Sequence, residues 1–204
     1  MNRRTVTLFT TVLLGLAALS RAESPDNPFD ASVLNVRPRI FIRKDKDFDG
    51  LTVEKLKRAA ATPEMAPFRK KWSRRTMGRA ILWMIDGKEA DRDAAIAGLK
   101  KKGAGGGSWS GKGLALMQLA SLYDWMHSEL DPKTRKTVRS RIEAAADNAV
   151  DHIRRGKAPF YYSRTPGALA GVALSGLALH GESEKAEGYL QLVREWGVND
   201  FFKA

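Results

Sequence analysis

One stretch narrows the folds open to this chain more than any other. Residues 159–180 read PFYYSRTPGALAGVALSGLALH. Thr165 is placed to cap a helix whose first position is Pro166, where a missing N–H does no harm. The helix expected over residues 167–179 carries no charge and is apolar or small on every face. Lacking a polar stripe, it cannot lie on a surface and must be enclosed by other helices. Gly167 and Gly171 add a smooth strip where a second backbone can approach. Just ahead stand Phe160, Tyr161, Tyr162, Ser163 and Arg164, which are aromatic, hydroxyl-bearing and basic. At the mouth of an enclosed helix such a cluster suits either a groove for a polar ligand or an ordinary packed loop.

The remaining pattern is helix after helix, with no alternating strand signal. Thr52, followed by Glu54, opens a helix to about Ala61. Residues 67–86 carry Phe68, Trp72, Met77, Ile81, Leu82, Trp83 and Ile85 near helical spacing, and Gly87 ends them. Residues 88–102 form a weaker helix with a basic tail suited to a C-terminus. The glycine-rich stretch 103–113 is expected as a loop around Trp109. It is not a phosphate loop, because Gly113 rather than Ser or Thr follows Lys112. Residues 114–130 are a second candidate inner helix. Asp131-Pro132 is a cap followed by proline at the first helical position, starting a helix to about Arg155. Glu182 to Trp196 forms the last. Upstream, residues 36–42 (VRPRIFI) read as an arm tucked onto the helical body. The acidic run Asp45, Asp47, Asp49, Gly50 reads as a loop, since the twelfth position of a calcium site falls on Leu56.

Length and composition set the class. The 204 residues, 43% hydrophobic, allow one domain with a real core. Residues 1–22 have the form of a secretory signal: Arg3 and Arg4, an apolar core, then Ser20-Arg21-Ala22. The uncharged run 5–20 is shorter than the roughly 20 residues a spanning helix needs, so no stable membrane anchor is expected. Residues 23–36 read as a linker and 37–204 as the folded domain. An exported chain with no cysteine must be held by packing alone. The net charge of +12 falls to +9 without Arg3, Arg4 and Arg21. That surplus draws anionic partners. Export argues against nucleic acid, and an acidic polysaccharide fits charge and compartment together; a plain basic surface would also account for it.

The order of the helices gives the architecture. Apolar helices (114–130, 167–179) alternate with amphipathic charged ones (131–155, 182–196) across short turns, which make neighbours antiparallel. This is the pattern of an all-α fold, a partial α/α toroid of antiparallel helical hairpins. Arg37-Pro38-Arg39-Ile40-Phe41-Ile42, then Leu82-Trp83-Met84-Ile85-Asp86-Gly87, then Leu122-Tyr123-Asp124-Trp125-Met126 with Leu130-Asp131-Pro132, then Gly171-Val172-Ala173-Leu174, follow one another in a familiar order. In this the chain resembles the N-terminal toroid of the heparinase II/III and alginate-lyase superfamily over residues 37–204.

The resemblance implies β-elimination on a uronic-acid polysaccharide without a cofactor or metal. A carboxylate is neutralised while a proton leaves the adjacent carbon, because the charge that develops must be stabilised. The family's asparagine before its inner helix is replaced here by Tyr162, Ser163 and Arg164. Arg164 can pair with a carboxylate and Tyr162 can relay a proton, which makes them the candidate catalytic residues. Trp109, Asp124, Tyr161 and Ser163 are the candidate substrate-binding residues. Asp124, in an apolar helix, must in any case find a partner. The helices are too few to close a toroid, and the family's later tyrosine and histidine come from elements beyond them. The expectation is therefore the N-terminal portion of a lyase, or a non-catalytic module that binds carbohydrate or protein. His127, His152 and His180 have no metal-ligand spacing.

Overall fold

A computed structural model describes residues 34–44, 48–101, 109–155 and 164–196, without the side chains of Trp109, Ser110 and Arg164. The expected signal and most of the linker lie outside these residues, as do Asp45, Asp47, Tyr161, Tyr162 and Ser163. The described residues hold eight α-helices and no strand, only an isolated bridge between Arg43 and Thr52. None of these helices is long and apolar enough to cross a membrane.

The arm lies where its apolar residues direct it. Leu34, Ile40 and Ile42 are buried in the core. Arg43 N–H donates to the Leu51 carbonyl at 3.0 Å, and Val53 N–H donates to the Arg43 carbonyl at 2.8 Å. The Lys55 ammonium closes the intervening loop on the carbonyls of Phe48, Asp49 and Gly50. Helix α1, Val53–Ala60, starts where Thr52 Oγ1 accepts from Lys55 N–H at 3.1 Å, with Glu54 in its positively polarised first turn.

The single helix expected over 67–86 is two. Helix α2 is Ala66–Trp72 and helix α3 is Thr76–Asp86, separated by a turn over 73–75. Gly78 explains how the two fit: a Cβ there would overlap the Trp72 carbonyl, so only glycine lets α3 fold back this closely. Gly87, at φ 66°, ends α3 in the left-handed region and donates its N–H to the Trp83 carbonyl at 2.8 Å. Helix α4, Glu89–Lys100, returns antiparallel, and the buried Asp91 pairs with Arg79 at 2.5 Å.

Helix α5, Trp109–Met126, begins five residues before the expected inner helix, so the stretch expected as a glycine loop is partly helical. Packing overrides propensity here. A Cβ on Gly113 would strike the Gly167 carbonyl, and the contact that excludes a side chain also fixes the helix. A 3₁₀ turn, His127–Glu129, leads to Asp131, whose carboxylate accepts from Thr134 N–H (2.8 Å) and Thr134 Oγ1 (2.6 Å). This caps α6, Pro132–Arg154, which buries one stripe of Thr134, Val138, Ile142, Ala146, Ala149 and Ile153. Helix α7, Arg164–Leu179, starts earlier than expected, so Thr165 lies inside the first turn instead of capping it. From Gly167 to Leu179 it is buried throughout, and Ser175 satisfies its hydroxyl on the Gly171 carbonyl at 2.8 Å. Helix α8, Lys185–Val193, follows a turn at Gly181, φ 76°.

Successive helices pack against one another: α3 on α4, α5 on α6 and α7 on α8. The two most buried helices, α5 and α7, lie side by side and run in the same direction. Gly113 meets Gly167 near their starts and Leu116 meets Gly171 a turn later, while Arg37 bridges Asp124 and Ala178 near their ends.

Candidate functional site

The parallel course of α5 and α7 divides the sequence-derived site. Trp109 opens α5 and Arg164 opens α7, so their backbones share one end of the pair. Asp124 stands fifteen residues further along α5, about 22 Å away at the helical rise. The structure therefore does not bring Asp124 into the corner with Trp109 and Arg164. Tyr161, Tyr162 and Ser163 precede α7 and lie outside the described residues.

Asp124 is instead the centre of a cluster at the other end. Its side chain is 0% exposed. One oxygen accepts from Arg37 Nη1 at 3.1 Å, and the other accepts from the backbone N–H groups of Arg39 (2.6 Å) and Ile40 (2.9 Å). The neighbouring Trp125 indole donates to the Ile40 carbonyl at 2.8 Å. Asp124 thus grips three residues of the arm, Arg37, Arg39 and Ile40, and Trp125 holds the last of them a second time. Burial pushes the Asp124 carboxyl up from its ordinary pKa, and the Ile40 N–H, Arg37 and Arg39 oppose that rise. Every group facing it is a donor, which is what a carboxylate needs once water is gone.

Arg37 carries the network onward. It donates to the Ala178 carbonyl at 2.8 Å and pairs with Glu182, with its guanidinium 5.8 Å from the centre of the Tyr123 ring. Arg39 donates to the carbonyls of Leu34 (2.6 Å), Leu177 (3.1 Å) and His180 (3.1 Å). Two of these are carbonyls at or just past the end of α7, where helical partners run out and negative dipole charge collects. Burial, then the neighbouring Arg37, lowers the Arg39 pKa. Glu182, just past Gly181, accepts from Tyr123 Oη at 2.6 Å and lies 2.9 Å from His127 Nε2. Its own carbonyl takes Arg139 Nη1 at 2.9 Å. Burial would raise the Glu182 carboxyl, but the contacts from His127, Tyr123 and Arg37 outweigh it and hold the pKa at about 2. Burial and the Glu182 contact push the Tyr123 phenol well above its usual value.

Chemically, the cluster is a brace. A carboxylate already holding Arg37, Tyr123 and His127 is a weak base, and a tyrosine committed to it is a reluctant acid. Asp124 accordingly anchors the arm and has no face left for a ligand. Among the described residues no three of His, Asp and Glu converge to hold a metal ion. Asp124 is recognisable from sequence as a carboxylate in need of a partner, and Arg37 and Tyr123 belong to the segments 37–42 and 122–126 that carry the resemblance. Glu182 had no local signal, since its partners lie 43 to 145 residues away. No family model, curated protein or solved structure matches the chain.

Proposed function

We propose that the chain forms an arc of an exported, polysaccharide lyase-like helical toroid acting on uronic-acid-containing polymers by β-elimination. One observation carries the reading. The motif segments Arg37–Ile42 and Tyr123–Trp125, more than eighty residues apart, interlock through Asp124 and Trp125 at the ends of two parallel buried helices. Parallel inner helices, each followed by an antiparallel helix with one buried stripe, are what a ring of hairpins requires. In this reading Arg164, which opens α7 at the opposite end of the pair from the brace, neutralises the uronate carboxylate, and Tyr162 moves the proton. Trp109, Tyr161 and Ser163 line the sugar, and Asp124 acts only through the fold.

The test is incubation of the exported chain with alginate, heparin and hyaluronate while following ultraviolet absorbance of the unsaturated uronate. Product formation that is lost in Tyr162→Phe and Arg164→Gln supports this reading. A flat trace with retained affinity for the polymer points to the second reading, a non-catalytic carbohydrate-binding helical module. That reading draws on the brace, whose ionisable groups are spent on one another.

A further inference from the structure

The positive charge is not spread evenly. Residues 55–79 hold nine lysines and arginines and a single acid, Glu64, a surplus of eight in 25 residues against a net charge of +12 for the whole chain. Some of these cations already have work inside the fold. Arg69 pairs with Asp86 at 2.6 Å, Arg79 with Asp91, and Lys55 closes the 43–52 loop. Lys70, Lys71, Arg74 and Arg75 are exposed and meet no acid among the described residues. They fall at the end of α2 and in the turn after it, in two pairs one helical turn apart, with the Lys71 ammonium 5.6 Å from the ring centre of Phe68. Phe68 is 51% exposed. Helix α2 therefore presents an unpartnered cationic edge with one aromatic ring.

We infer that this edge of α2 is a docking surface for an acidic polysaccharide, separate from the corner at the starts of α5 and α7. The inference rests on the polyuronate reading above and adds to it a second place where the polymer is held. Four solvated cations without a counter-ion among the described residues match a chain bearing one carboxylate per sugar, and they attract it over a long range. A membrane is a poorer match, because an interfacial helix buries a broad apolar face and this one offers one ring with a lysine laid over it.

The experiment measures alginate binding by the full exported chain, its Lys70→Gln/Lys71→Gln/Arg74→Gln/Arg75→Gln variant, and a control losing the same charge elsewhere, Lys88→Gln/Lys101→Gln/Lys133→Gln/Lys136→Gln. Circular dichroism establishes that both variants are folded. The α2 variant is expected to lose about thirty-fold in affinity, from four exposed contacts of modest worth each, and the control no more than about three-fold. Equal losses in the two variants, an α2 variant that binds like the parent, or a parent that does not bind alginate would overturn the inference. So would tighter binding of duplex DNA or anionic phosphatidylserine vesicles at matched charge. A parent that binds alginate without releasing unsaturated product refutes the lyase reading and leaves this surface standing. A parent that cleaves alginate while the α2 variant keeps affinity and KM does the reverse.

Discussion

Arg37 and Arg39 differ from Arg74 and Arg75 in what surrounds them, and the contrast separates two uses of positive charge in one chain. At the ends of α5 and α7 the guanidiniums are drawn out of water and meet two carboxylates and four backbone carbonyls. After α2 they stand in water and meet no acid among the described residues. A desolvated cation must be matched donor for donor, so it becomes part of the fold. A solvated one contributes little to stability and stays available to a partner.

The largest expected effect breaks the first half of that contrast. Asp124→Ala leaves Arg37 and the N–H groups of Arg39 and Ile40 without their shared acceptor, and should cost about 3–5 kcal/mol in urea denaturation. Arg74→Ala/Arg75→Ala should stay within about 0.5 kcal/mol per substitution. Similar losses in both would erase the distinction.

Acid titration sharpens it. Glu182 has a folded pKa of about 2 against an ordinary 4.5. Its contribution is therefore fully present above pH 4.5 and is lost as pH falls towards 2. A shift of that size bounds the effect at about 3 kcal/mol, less what solvent screens at a partly exposed carboxylate. Stability followed between pH 5 and 2 should fall more steeply in the parent than in Glu182→Gln.

Glycines provide a finer comparison. Gly113→Ala sets a methyl group against the Gly167 backbone and should destabilise by about 1–3 kcal/mol. In Gly188→Ala, on α8, the added Cβ meets nothing within 4 Å, and the variant should gain about 0.5–1 kcal/mol in thermal melts. Thr52→Ala, which removes the α1 cap, should lose about 1 kcal/mol by the same measurement.

Much of the fold follows from local pattern. The buried character of α7, the Thr52 and Asp131 caps, the stop at Gly87 and the inward arm are each written in a few adjacent residues. Three features depend on contacts distant in sequence. The break between α2 and α3 turns on Gly78 lying beneath the Trp72 carbonyl, whereas the apolar spacing runs straight through it. The early start of α5 turns on Gly167, since glycines at 111 and 113 read locally as loop. Glu182 joins the brace only when α7 has brought it beside Tyr123 and Arg37. Asp124 shows both sides: its need for a partner was legible, but the partner lay 87 residues away and on the far side from the expected groove.

Helices α5 and α7 lying side by side in the same direction underlie the brace, the position of the Arg164 corner and the toroid reading alike. The chain has no cysteine, so an introduced pair reports without interference. A Cβ on Gly171 would stand 3.3 Å from the Leu116 Cβ, close to disulfide geometry. Mild oxidation of Leu116→Cys/Gly171→Cys should give an intramolecular disulfide with helicity retained, and Leu116→Cys/Ala178→Cys should stay reduced. A disulfide in the second variant but not the first would contradict the parallel arrangement.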